Sequence, residues 1–221
     1  VKVNELIKTM SQAMEYIGGN RGKGQPLGGS TDAQLHDTPQ GRFVSKRGAH
    51  PRHIQNEYDM NRYLNALGVT VPDAGMYDDE MLTEYEEGAE PFDADRDMSQ
   101  ITRDFVPHAA IANWDMLGMH DDNVLRRPDG SLSYVDVGGA GPYRAQGAPK
   151  GRAFGSTVGE LDTLREKNPS SLGNITEQDI GQSYDTYGGQ DTMNDALQNL
   201  RDAQTRDIMQ RRIQDIARRV A

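Results

Sequence analysis

Between Asn123 and Asp136 the chain reads NVL-RRPDGS-LSYVD. The Pro-Asp-Gly in RRPDGS, between two short apolar runs, signals a tight hairpin. This hairpin constrains the chain more than any other segment. It leads in from Asn123 and returns near Asp136, so antiparallel pairing sets these two side chains close together. An amide oxygen beside a carboxylate is a hard ligand pair, suited to Mg²⁺ and unsuited to zinc. Upstream, NWDMLGMHDD at 113–122 sets Asp115, His120, Asp121 and Asp122 among Trp114, Met116, Leu117 and Met119. Downstream, Val137-Gly138-Gly139 allows a close backbone approach to a phosphate. Taken singly, each polar residue is an ordinary cap or turn residue. Together they suit phosphoryl transfer, which needs a metal site and a carboxylate that holds the acceptor hydroxyl.

The rest of the chain sorts by period. Val3, Leu6, Ile7, Met10, Met14 and Ile17 predict an opening helix, stopped by Gly18-Gly19. The segment 18–30 is a glycine-rich loop. Short strands are expected at Ala33 to Leu35 and Arg42 to Ser45. A helix from about His53 to Leu67 follows, opened by Pro51 and ended by Gly68. Two more strands are expected around Val69 to Met76 and Met81 to Tyr85. The acidic stretch 86–97 is the expected lobe boundary. A helix is predicted from Phe105 to Leu117, a glycine-rich loop at 138–155, and closing helices near 176–187 and 193–220. The expected units are an N-terminal helix at 1–17, a nucleotide-binding lobe at 18–88 and a catalytic lobe at 89–221.

Composition narrows the function classes. The net charge of −10 and pI of about 4.9 disfavour nucleic acid as a partner. Without cysteine there is neither a disulfide framework nor a thiolate metal site. No apolar run approaches the length of a membrane span. The first residues lack a signal-peptide core and an initiator Met, as expected of a fragment or processed chain.

A second constellation is Lys46, on or just beyond a strand, and Glu57, inside the following helix. A strand lysine held by a helix glutamate positions nucleotide phosphates in kinases. Gly28, Gly29 and Ser30 would form the turn that covers them. The loop 18–30 departs from the P-loop pattern, because Gly22-Lys23 is followed by Gly24. A surface salt bridge is the simpler reading of Lys46 and Glu57. His50 and His53 lack a third zinc ligand. Arg144 and Lys150 lie where kinases contact substrates, or are simply solvated.

The layout resembles an atypical protein-kinase-like fold, α+β and bilobal, with a small mixed N-lobe and a reduced helical C-lobe. It is similar to HipA-type kinases and type II phosphatidylinositol 4-kinases in Asn113-Trp114-Asp115, then Asn123, then Val135-Asp136. NWDMLGMHDDNVL, VDVGGA and YRAQGAPKG further resemble kinase-like domains of phage and prophage proteins. The resemblance implies that Lys46 holds the α- and β-phosphates of ATP, with Glu57 orienting it. It implies Asp115 as the catalytic carboxylate, Asn123 and Asp136 as Mg²⁺ ligands, and backbone groups of Glu84, Tyr85 and Glu86 as adenine contacts. It also implies a protein acceptor or a virion partner, and a place in the bacterial cytoplasm or the phage particle. One departure bears on activity. Seven residues separate Asp115 from Asn123, more than in the kinase pattern D-x-x-x-x-N. Strict spacing would put Gly118 in the catalytic position and make the chain an inactive structural or interaction domain. A looped-out surplus would keep Asp115 in place, or Asp121 or Asp122 would substitute. A third reading takes His120-Asp121, with His108 upstream, as the metal doublet of an HD-type phosphohydrolase.

Overall fold

The computed structural model describes residues 2–19, 24–28 and 32–221. Helix α1 (Lys2–Gly19) lies against a five-stranded antiparallel sheet of order β1-β2-β3-β5-β4. Its strands are β1 (Gln25–Gly28), β2 (Ala33–Thr38), β3 (Gly41–Lys46), β4 (Ala74–Tyr77) and β5 (Glu80–Glu84). Alternation along β3 sorts its residues to two faces. Phe43 packs with Leu82 against Met10, Ala13 and Ile17 of α1. Lys46, opposite Met81 in the register, lies on the other face with Val44. That face meets α2 (Pro51–Leu67), where Ile54 and Tyr58 pack on Met81.

Helix α2 begins as its sequence predicts. The imidazole of His50 caps the His53 amide, Pro51 occupies the first turn, and Gly68 ends the helix in the left-handed region at φ 88°. The lower half of α2 belongs to the main core. Met60, Tyr63, Leu64 and Leu67 join Val69, Val71 and the helices of the C-terminal half.

Several elements differ from expectation. Part of the 18–30 loop is the edge strand β1. The strand expected from Val69 begins only at Ala74, because Val69 and Val71 are buried in the C-terminal core and Pro72 lacks a donor for the ladder. The acidic stretch 86–97, expected to mark the lobe boundary, carries regular structure. It contains β6 (Glu90–Pro91) and the start of α3 (Ala94–Ala110), with Asp93 as N-cap. Asp97 is fully buried and takes Arg126 Nη1 at 2.6 Å. Helix α3 stops seven residues before Leu117, since Ala112 turns left-handed at φ 51° and the Asn113 amide returns to the His108 carbonyl. Strand β7 (Val124–Arg126) sits between β6 and β8 (Leu132–Tyr134).

The chain ends in α4 (Glu160–Lys167), α5 (Glu177–Thr186), α6 (Gly189–Ala196) and α7 (Ala203–Val220). The sequence pattern missed α4. The long closing helix is split, because Leu200 is extended and Asp202 caps a new helix at the Thr205 amide.

Candidate active site

Strand β3 delivers Lys46 at its last residue, and α2 delivers Glu57 opposite. Lys46 Nζ lies 2.8 Å from Glu57 Oε1 and 3.8 Å from Asp136 Oδ2, and donates to the Val135 carbonyl at 3.1 Å. The two side chains are 7% and 1% exposed, so the surface-salt-bridge reading is set aside. Burial pulls the Lys46 pKa down, but Asp136 and Glu57 outweigh it and hold the group well above its ordinary value. Burial pushes Glu57 up against the pull of Lys46. With two carboxylates facing one ammonium, the charged lysine is the firm assignment.

The β7–β8 hairpin returns the backbone to Asn123 one residue before Asp136. Val124 pairs with Tyr134, and the Val135 amide donates to the Asn123 carbonyl at 3.0 Å. Asp136 lies just beyond the strand. Its Oδ1 accepts from the Gly138 amide at 2.9 Å, and its side chain is 37% exposed.

The surplus between Asp115 and Asn123 loops outward. The Asn123 amide donates to the Leu117 carbonyl at 3.1 Å, so residues 118–122 form a closed bulge. Met119, at its tip, is 86% exposed. Gly118 turns at φ 83°, and a Cβ there would meet Asp122 Oδ1 at 2.2 Å. Beneath the bulge, Asn123 Nδ2 donates to the Asp115 main-chain carbonyl at 2.7 Å. Burial raises the Asp115 pKa, and the nearby Asp136 and Asp122 raise it further.

The GGAG segment after Asp136 is clamped at four successive carbonyls. His53 Nδ1 accepts from the Ala49 amide, so its Nε2 carries the proton and donates to Gly138 O at 2.9 Å. Lys150 Nζ takes Gly139 O at 2.7 Å and Gly141 O at 2.9 Å, and also Ala112 O at 2.6 Å. Asn56 Nδ2 takes Ala140 O at 3.0 Å. Asn56 is a residue that motif reasoning missed, while His53 and Lys150 take a different role from the zinc ligand and the substrate-contacting or solvated lysine weighed in the sequence: both are buried and hold backbone carbonyls. The only available signal was their polarity at buried helix or loop positions, which one sequence does not show.

The donor set fits a hard divalent cation. Asn123 commits its Nδ2 to Asp115 and keeps Oδ1 as an acceptor. Asp136 is open to solvent on one side. Mg²⁺ takes few protein ligands and fills its shell with water and phosphate oxygens.

The remaining expected contacts are less complete. Gly28 ends β1 with φ 81°, while Gly29 and Ser30 lie outside the described residues. The Glu84 and Tyr85 amides already donate to the carbonyls of Asp73 and Arg42. The Glu86 carbonyl accepts from the Ala89 amide at 3.3 Å. The Glu86 carboxylate takes Arg127 and Ser133. His108 is buried against Tyr134 and bonded to Asn113, and its pKa is pushed down to about 3 by burial. His120 lies on the exposed bulge. The two histidines of the hydrolase reading thus lie apart, His108 in the core and His120 on the exposed bulge.

The two-part layout, with a strand lysine facing a helix glutamate across from the hairpin, is a protein-kinase-like fold. The chain superposes on the crystal structure of the Helicobacter pylori proinflammatory kinase CtkA with a TM-score of 0.53 at 12% identity, over 91% of this chain and 95% of that one. The choline kinase LicA from Streptococcus pneumoniae gives a TM-score of 0.43 at 13% identity, over 99% and 100%. The structure of LicA in complex with AMP gives 0.41 at 14%, over 93% and 96%. No protein-family model matches the chain, and no curated protein sequence does.

Proposed function

We propose that the chain is an atypical kinase that transfers the γ-phosphoryl group of ATP, with Mg²⁺, to a hydroxyl on a protein serine or threonine. One observation carries this reading: the Asn123 side chain is bonded to the backbone of Asp115 despite the longer spacing. Lys46, oriented by Glu57, would hold the α- and β-phosphates. Asn123 and Asp136 would hold Mg²⁺, which when bound neutralises phosphate charge. Asp115 would orient the acceptor hydroxyl and take its proton. Its raised pKa brings it nearer the working range of a general base. Gly28, Gly29 and Ser30 would cover the phosphates, and the Glu84–Glu86 backbone would meet the adenine. The inactive-domain reading rested on a displaced Asp115, and the closed 118–122 bulge argues against it.

The test combines binding and transfer. ATP with Mg²⁺ should raise the Tm, and Asp136→Ala should abolish the rise. Asp115→Asn should keep the rise but lower label transfer from γ-labelled ATP by about 10²–10⁴-fold. No melting shift at millimolar nucleotide would sink the ATP-binding claim. A shift without transfer in the unaltered chain would leave only a nucleotide-binding, inactive domain.

A further inference from the structure

Trp114, one residue before Asp115, is held rigidly. Its Nε1 donates to Glu160 Oε1 at 2.8 Å, and Glu160 Oε2 in turn takes Arg212 Nη2 at 2.7 Å. Three cations surround the indole. Lys150 Nζ, Arg144 Cζ and Lys167 Nζ lie 4.6, 5.1 and 5.7 Å from its ring centre. Lys150 is buried, with its three N–H groups on carbonyls. Arg144 and Lys167 are exposed, and among the described residues neither forms an ion pair with a carboxylate. Arg144 and Lys167, with no carboxylate partner among the described residues, repel one another, and an indole face only partly offsets that.

The surroundings sharpen the point. The protein carries a net charge of −10, yet 137–159 contains Arg144, Lys150 and Arg152 and neither Asp nor Glu. This basic island adjoins the chemistry. A Cβ placed on Gly139 would lie 3.3 Å from Asp115 Cβ and 3.6 Å from the Ala145 amide nitrogen. The segment carrying Arg144 is therefore about one side chain's width from the Asp115 stem.

We infer that Trp114, Arg144 and Lys167 form an acceptor shelf for an acidic peptide segment, whose carboxylates pair with the two cations while its hydroxyl faces Asp115. The inference rests on the kinase reading for the role of Asp115, but the shelf itself is a binding site. An anionic small molecule shares the chemistry. The shelf favours a peptide because Arg144, Gln146, Ala148 and Pro149 are exposed, whereas small-molecule sites bury most of their ligand. On a chain of net charge −10, a local group of cations gives an acidic peptide both attraction and register.

Trp114 is the chain's single tryptophan, so its fluorescence reports on the shelf without requiring turnover. The full chain would be titrated with three serine-containing peptides flanked by Glu, by Gln or by Lys, and with glucose 6-phosphate. The Glu-flanked peptide should give a saturable emission change that weakens with salt. The surface variant R144E/K167E should weaken it by about tenfold, and the milder R144Q/K167Q by less. An equal response to the Gln-flanked peptide, or retention of the response in R144E/K167E, overturns the inference. So does tighter binding of glucose 6-phosphate than of the peptide. The kinase reading fails separately, through the absence of an ATP-induced melting shift.

Discussion

Asn123 Nδ2 and the main-chain carbonyl of Asp115 are 2.7 Å apart, although seven residues separate them in sequence. The surplus leaves through Gly118 and returns at Asn123, whose amide closes on Leu117 O. The bulge should therefore be dispensable. Deleting 119–121 leaves Leu117-Gly118-Asp122-Asn123, a four-residue turn closed by the same Leu117–Asn123 bond. Glycine then stands second, where a type II′ turn requires it. The shortened chain is expected to keep its ATP-induced melting shift and its label transfer within about threefold. A loss of more than about tenfold would make the bulge part of the machinery. Gly118→Ala, by contrast, forces a side chain into the left-handed region and should lower stability by about 1–2 kcal/mol.

Lys46 and Glu57 form a buried pair, and breaking it from one side has a defined signature. In Lys46→Met the Glu57 carboxylate loses its partner, and Glu57 Oε2 already has no hydrogen bond among the described residues. Stability should fall by about 3–5 kcal/mol. The sign with pH follows from burial. A carboxyl raised in the folded state binds its proton more tightly there than in the unfolded chain. Lys46→Met is thus least destabilised at acid pH, and loses stability as pH rises above the ordinary glutamate value of 4.5. Adding Glu57→Gln should restore melting near neutrality without restoring the ATP-induced rise. Thermal melts at several pH values check both.

Local signals account for the parts of this structure that were legible in sequence. The turn at RRPDGS set the β7–β8 hairpin, the Pro51 and Gly68 punctuation set α2, and the strand-to-helix order set Lys46 against Glu57. Tertiary packing accounts for the misses. Nothing near Ala112 announces that α3 ends early, because Arg212 of α7 satisfies the Ala109 and Ala110 carbonyls from about a hundred residues away. The clamp on the GGAG carbonyls is equally non-local. His53 and Asn56 come from α2, and Lys150 folds back across a loop. The acidic composition of 86–97 does not show which of its charges fold inward. Asp97 is buried on Arg126.

Lys150 links stability to pH. Burial pushes its pKa down to about 7, with Glu160 opposing the shift and Arg212 and Arg144 adding to it. Its three carbonyl partners need three N–H groups, so the clamp is complete only in the ammonium form. Two opposite trends are expected above about pH 7. The unfolded chain keeps this proton up to the ordinary lysine value of 10.5 while the folded chain releases it, so this group's contribution to stability rises with pH across that window. Label transfer should fall over the same window as the loop carrying Gly139 and Gly141 loses a hydrogen bond. Lys150→Met should remove the pH dependence of stability and start from low transfer at every pH. A wild-type rate that stays flat from pH 7 to 9 would count against the clamp's role.

Arg212 ties α7 to the end of α3 and the loop before α4. Fully buried, it pairs with Glu160 at 2.7 Å and donates to the carbonyls of Ala109, Ala110, Gly155 and Thr157. It thereby supplies the acceptors at the end of α3 with the partners that a buried helix terminus needs. It also fixes Glu160, on which Trp114 rests. Arg212→Met leaves Glu160 without its cationic partner and four carbonyls without their Arg212 donor, so unfolding should become easier by about 3–5 kcal/mol. Arg212→Lys supplies charge but too few N–H groups in the wrong geometry, and should recover less than half of that. The double variant R212M/E160Q removes the stranded charge, and should be more stable than R212M alone while its carbonyls remain unpaired. Chemical denaturation of the four proteins gives the comparison. A double variant no more stable than R212M would show that the lost carbonyl contacts, and not the stranded Glu160, account for the destabilisation.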